Sequence, residues 1–131
     1  MKPSPLILLI DDSAEIIRTL KDFFVKCGYR VINASNGLEG LNLLETHHKS
    51  VDLVITDLIM PHVSGVGVIA ISKKKYPHLP VIAITGWGEY PEALASEAHA
   101  DIVIEKPFEL AALNQAIKDL LDADEGQKND K

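Results

Sequence analysis

Four places along the chain put reactive side chains directly after a short apolar run. Asp11-Asp12 follows Leu6 to Ile10, and Thr56-Asp57 closes the run that begins at Leu53. Thr85-Gly86 follows Val81 to Ile84, and Glu105-Lys106-Pro107 follows Ile102 to Ile104. If the runs are neighbouring strands of one parallel sheet, three carboxylates, a hydroxyl and an ammonium converge on one edge, where such sheets bind ligands. Clustered carboxylates repel, and keeping them ionised together calls for a counter-charge. An all-oxygen donor set without His or Cys suits a hard cation such as Mg²⁺, which retains waters and leaves room for a phosphate oxygen. Singly, each acid has a plainer explanation, since acids cap helices and Asp12 adjoins a helix start. The recurrence of acid, acid, hydroxyl and lysine at successive run ends is what singles out the set.

The elements that must position these residues are legible as well. The four runs are continuous and rich in β-branched residues, as strands buried on both faces read, and Arg30 to Ala34 suits an edge strand. Helical spacing connects Ile16, Ile17, Leu20, Phe23, Phe24 and Cys27, with Ser13 as a cap and Gly28 as a stop. On this stripe Cys27 is expected in the core. A second helix carries Leu38, Leu41 and Leu44, a third spans about Val66 to Lys75, and a fourth spans Pro91 to Ala98. The last carries Leu110, Leu113, Ile117, Leu120 and Leu121. Strand and helix alternate five times, which predicts a doubly wound α/β domain with five helices. The domain is expected over residues 1–123, with 124–131 a polar, frayed tail.

Composition narrows the function classes. The 131 residues hold 13 Lys plus Arg against 19 Asp plus Glu, a formal charge of −6, and this disfavours nucleic acid as the main partner. No apolar run approaches the roughly 18 residues of a membrane helix, and no secretory core is present, so a cytoplasmic location is expected. A single cysteine excludes an internal disulfide and a cysteine-based zinc cage. Gly65-Val66-Gly67-Val68-Ile69-Ala70 matches a dinucleotide fingerprint, yet no strand precedes it and no acid lies about 20 residues on, so it reads as a turn. The five histidines share no metal-ligand spacing and read as solvated.

Taken in order, Asp11-Asp12, Asp57-Leu58-Ile59-Met60-Pro61 with Gly65, Thr85-Gly86 and Lys106-Pro107-Phe108 resemble the receiver domain of two-component response regulators, the CheY-like family. The resemblance covers residues 6 to about 121. It implies a flavodoxin-like five-stranded parallel sheet of order 2-1-3-4-5. It implies that Asp57 accepts a phosphoryl group from a phosphohistidine on a sensor histidine kinase or a His phosphotransfer protein. Mg²⁺ would be held by Asp12, Asp57 and the backbone carbonyl of Ile59, with Asp11 supporting it partly through water. Lys106 and Thr85 would contact phosphoryl oxygens, and the Lys106–Pro107 bond would be cis. Self-phosphorylation and a slow autophosphatase activity are implied, the latter restrained by the bulky Ile59 and Trp87. A downstream protein would be engaged through the face of the fourth helix, fifth strand and fifth helix, with no direct contact to nucleic acid or membrane.

One position departs from the family pattern. Val103 stands where most receivers carry Tyr or Phe, and valine cannot make the corresponding rotamer swing. Trp87 and Tyr90 either take over part of that coupling or simply cover the sheet edge. Two alternatives to a phosphorylated receiver stay open. A haloacid-dehalogenase-like Mg²⁺ phosphohydrolase also uses a sheet-end Asp, but expects a D-x-D pattern that Asp57-Leu58-Ile59 lacks. A pseudo-receiver would be an unphosphorylated interaction module, although its acid, hydroxyl and lysine positions would be filled here. The sequence leaves open whether the receiver stands alone or comes from a larger regulator or hybrid kinase.

Overall fold

The computed structural model describes residues 4–60, 64–86 and 99–129, with side chains through 123. In chain order the elements are β1 (Leu6–Ile10), α1 (Ala14–Lys26), β2 (Arg30–Ala34), α2 (Gly37–His47), β3 (Leu53–Asp57), α3 (Gly65–Lys75), β4 (Val81–Thr85), β5 (Ile102–Glu105) and α4 (Leu110–Asn129). The strands form one parallel sheet in the order β2-β1-β3-β4-β5.

Side chains alternate across a strand, so each continuous apolar run feeds two cores. Leu6, Leu8 and Ile10 of β1 join Val54, Val81 and Ala83 on one face, under Leu44 of α2 and Val68 and Ile69 of α3. Ile7 and Leu9 join Leu53, Ile55, Ile82 and Ile84 on the other, under Leu20 and Phe24 of α1 and Leu113, Ile117 and Leu121 of α4. Each fully buried Leu, Ile or Phe stabilises the fold by roughly 1.5–3 kcal/mol, which fixes the strand ends against which the site is built.

Three helices start on side-chain caps. The Ser13 hydroxyl accepts from the Ile16 N–H at 3.3 Å, Asn36 accepts from Glu39 at 2.8 Å, and Ser64 accepts from Gly67 at 3.2 Å. Each satisfies one of the orphan N–H groups of a helix start. At the other end of α1, Gly28 takes φ +95°, a left-handed conformation that glycine adopts without steric cost.

Several expectations change. The described residues contain four helices, not five, and the segment 91–98 expected as a helix lies outside them. Cys27 is exposed, not core, because α1 ends at Lys26 and the turn into Gly28 carries the next position off the apolar stripe. Gly65 to Ala70 form the opening turns of α3 in place of a turn, with Ser64 as the cap. The last helix reaches Asn129, into the segment expected as a polar tail. Among the described residues no helix is long and apolar enough to cross a membrane.

Candidate functional site

The first acid is set by pairing that outlasts β1. The N–H of Asp11 donates to the carbonyl of Ala34 at 3.1 Å, extending the β1–β2 ladder by one residue. Its carboxylate then accepts from the Ser13 N–H at 2.8 Å, so one short turn orients Asp11 and caps α1 together. Asp11 is 2% exposed and Asp12, one residue on, is exposed.

Asp57 is the last residue of β3 and is 8% exposed. Its backbone is held from two sides. The Thr56 hydroxyl donates to the Asp57 carbonyl at 3.0 Å, and the next N–H, of Leu58, donates to Ile84 of β4 at 3.0 Å. Helix α3 closes on the same point. The Gly65 N–H donates to the Leu58 carbonyl at 3.0 Å, and a Cβ at Gly65 would overlap the Asp57 carbonyl oxygen and sit 2.6 Å from the Leu58 Cα. Only glycine permits that approach, because both obstacles are backbone. The motif containing Gly65 was visible in the sequence, but the reason for a glycine there required the packing of α3 on β3. A similar approach occurs at Gly40 of α2, where a Cβ would meet the side chain of Ile10, the residue before Asp11.

Lys106 enters from the far side of the sheet. Its N–H donates to the Thr85 carbonyl at 2.8 Å, and its Nζ stands 3.9 Å from Asp57 Oδ1. The Lys106–Pro107 peptide bond is cis. Thr85 is fully buried at the end of β4 and lies in register with Glu105. Asp11, Asp12, Asp57, Thr85 and Lys106 thus all lie at the carboxyl ends of the strands, as expected. Each of the three aspartates offers a carboxylate oxygen, and these atoms lie within 4.8 Å of one another. Of the remaining candidates, Ile59 is 52% exposed in the loop after β3. Val103 is half-buried in β5, opposite Ala83, and packs on the core under α2 and α3. Trp87 and Tyr90 lie outside the described residues.

The electrostatics follow from this crowding. Burial pushes the Asp57 carboxyl up to about 6, with the charges of Asp11 and Asp12 adding to the rise. Lys106 and the Leu58 N–H oppose the shift without cancelling it. Asp11 is raised for the same first reason, burial, against the Ser13 hydrogen bond. A cluster of this kind favours a cation in proportion to the repulsion that the cation relieves. Three carboxylates, with no His or Cys joining them among the described residues, form a hard-oxygen set that fits Mg²⁺.

Comparison with known proteins gives one consistent answer. The family model for the response regulator receiver domain matches residues 7–118. A chemotaxis protein CheY homolog from Campylobacter jejuni is 31% identical over 125 residues, covering 92% of this chain and 95% of the relative. Transcriptional regulatory protein GlrR from Escherichia coli K12 is 38% identical over 122 residues, covering 92% of this chain. The chain spans only 27% of the length of GlrR. Among solved structures, a response regulator receiver domain protein from Clostridium thermocellum superposes with TM-score 0.87 at 34% identity, covering 92% of this chain and 97% of that one. Response regulator TrrA from Thermotoga maritima, solved in complex with Mg²⁺-BeF, has TM-score 0.81 at 34% identity, covering 88% and 98%. With the family match running across nearly the whole chain, and a relative matched almost end to end, this protein belongs to the response regulator receiver domains of two-component signal transduction.

Proposed function

We propose that the chain is a phosphoacceptor, taking a phosphoryl group onto Asp57 from a phosphohistidine. One observation carries this reading: a nearly buried carboxylate at the end of β3 faces a lysine ammonium 3.9 Å away and two further acids within 4.8 Å. In the step itself, a carboxylate oxygen of Asp57 attacks phosphorus and the nitrogen–phosphorus bond breaks. The donor imidazole leaves with the bonding pair and takes up a proton, and Asp57 becomes an acyl phosphate. A carboxylate is a weak nucleophile, so charge neutralisation and positioning carry the catalysis.

Asp11, Asp12, Asp57 and the Ile59 carbonyl would hold Mg²⁺. Bound there, the ion supplies charge neutralisation for the acids and for the incoming phosphoryl oxygens. Lys106 pairs with a phosphoryl oxygen as a point charge, and the Thr85 hydroxyl hydrogen-bonds another. Pro107 fixes the turn from which Lys106 reaches back. Val103, which lacks a ring to swing, leaves switching to other residues, with Trp87 as the candidate. The donor class is a sensor histidine kinase or a His phosphotransfer protein. A downstream protein would be met on the face formed by the expected fourth helix, which lies outside the described residues, β5 and the last helix, α4; Ile102 and Ile104 of the edge strand β5 are only half-buried.

Incubation with acetyl phosphate and Mg²⁺ tests the reading. It should yield an acid-stable, base-labile phosphate that is lost in Asp57→Ala. No label on the folded wild-type chain would point to the unphosphorylated pseudo-receiver. A label that persists in Asp57→Ala would move the acceptor elsewhere.

A further inference from the structure

At the opposite, N-terminal edge of the sheet lies a cavity of about 380 Å³, between the C-terminal ends of α2 and α3 and the turn that leads into β4. Two of its lining side chains, His48 and Tyr76, stack with ring centroids 4.7 Å apart and planes 18° from parallel. The His48 ring is fixed further, because its Nδ1 lies 3.2 Å from the carbonyls of both Leu44 and Glu45. Carbonyls only accept, so Nδ1 carries the hydrogen and the ring is tied to its own helix. The aromatic wall is therefore preorganised.

The charge lining this cavity is opposite to that of the molecule as a whole. Among the described residues, Lys49 and Lys75 line it against one acid, Asp52, in a chain of formal charge −6. Asp52 is committed to the fold, accepting from the Leu6 N–H at 2.8 Å. Lysines at helix C-termini are ordinarily explained by the dipole and by the last unpaired carbonyls. Here local turns already satisfy several of those carbonyls: His48 donates to Leu44 at 2.8 Å, Val51 to His47 at 3.0 Å and Tyr76 to Ser72 at 2.7 Å. Lys73, on the same turn as Lys75, is engaged by Asp101 and the Leu79 carbonyl. Among the described residues, neither the Lys49 nor the Lys75 side chain has a hydrogen-bonding or ion-pair partner. The dipole accounts for the charges, but not for a cavity walled by stacked rings beside them.

We propose that this cavity binds a small planar ring carrying an anionic group, with the His48–Tyr76 wall meeting the ring and Lys49 and Lys75 meeting the anion. The volume suits a ligand of mononucleotide size, and pockets of this kind combine an apolar wall with a few convergent polar groups. Aromatic stacking and two rim charges are each modest, so the binding is weak to moderate and depends on both parts of the ligand.

The test is titration of the full chain with adenosine monophosphate, followed by amide NMR, with a chelator present to exclude divalent cations at the acidic end. Saturable shifts at the amides of His48, Lys49, Tyr76 and His78 are expected, with adenosine alone and inorganic phosphate alone each binding more weakly. The exposed double variant Lys49→Gln, Lys75→Gln should weaken adenosine monophosphate about tenfold and leave the response to Mg²⁺ at the opposite end unchanged. Absence of saturation would overturn the proposal, as would shifts confined to Asp11, Asp57 and Lys106 or an undiminished response in the double variant. Adenosine binding as well as the monophosphate would remove the anionic half of the recognition. Phosphate binding as well as the monophosphate would remove the ring.

Discussion

At the N-terminal end of the strands, Asp52 and Asp101 each give a carboxylate oxygen to a backbone N–H that begins a strand. Asp52 accepts from Leu6 at 2.8 Å, and Asp101 accepts from Val81 at 2.7 Å and from the Lys73 ammonium at 3.0 Å. At the C-terminal end, Asp11, Asp12 and Asp57 face one another across less than 5 Å, and the Lys106 ammonium remains 3.9 Å from Asp57. The same side chain thus holds the fold together at one end and strains it at the other. Carboxylates with donors stabilise, whereas carboxylates crowded together store repulsion that an added cation can release. If this contrast is right, substitutions at the two ends should change stability in opposite directions.

The largest effect is expected at Asp57. Its folded-state carboxyl titrates near 6, against 3.8 for the ordinary group. The native state therefore binds the proton more tightly than the unfolded state, and stability falls as pH rises between about 4 and about 6. Above that window the full penalty is present, about 3 kcal/mol for a shift of this size. Asp57→Asn should unfold at higher urea than wild type at pH 7.5, by an amount approaching that figure, and should match wild type near pH 4. A variant less stable than wild type at pH 7.5 would break the comparison at its strongest point.

Mg²⁺ should act on the same penalty from outside. Binding to the folded state alone, at a hundredfold excess over its dissociation constant, stabilises by about 2.7 kcal/mol. The rise in Tm should be large for wild type and much reduced in Asp57→Asn, which removes one ligand and part of the repulsion. An equal rise in both would place the ion away from the three acids.

At the other end, Asp101→Ala should destabilise. It leaves the Val81 N–H without its acceptor and Lys73 without its partner, at a cost of about 1–2 kcal/mol by urea unfolding. The loss should be independent of Mg²⁺, and phosphorylation at Asp57 should persist in the folded fraction.

Much of this contrast was legible in the sequence, but unequally. The acids at the carboxyl ends of β1 and β3 stand out because each follows a short apolar run, Asp11 directly and Asp57 after Thr56, and Lys106 follows its run after Glu105. Asp52 and Asp101 carry an equally simple signal, each standing one residue before a run, at Leu53 and Ile102. That signal is silent in the sequence, because an acid before a strand has meaning only once the neighbouring strand's N–H faces it. Close approaches were less visible still. Nothing in the spacing of Gly40 or Gly65 says which backbone or side chain a Cβ would strike. Cys27 continues the helical periodicity of α1 in the sequence, yet it is exposed because the chain turns away after Lys26.

The smallest effect sharpens the comparison by testing an exception to it. In the second half of α3, next to Lys73 of the Lys73–Asp101 pair, Ser72 is fully buried, and its hydroxyl has no hydrogen-bond partner among the described residues. Its own carbonyl is used by Tyr76, so only the side chain goes unsatisfied. A buried hydroxyl without a partner costs roughly 1–3 kcal/mol in lost hydration. Alanine removes that cost, keeps nearly the same volume and favours the helix. Ser72→Ala should therefore gain about 1 kcal/mol, measured by urea unfolding, with no dependence on Mg²⁺ and no change in labelling at Asp57. A gain would mean that polar groups near the N-terminal edge stabilise only where they find a donor or an acceptor, as Asp52 and Asp101 do. A loss of similar size would mean that the Ser72 hydroxyl is satisfied in solution, and that this end of the molecule holds no exception at all.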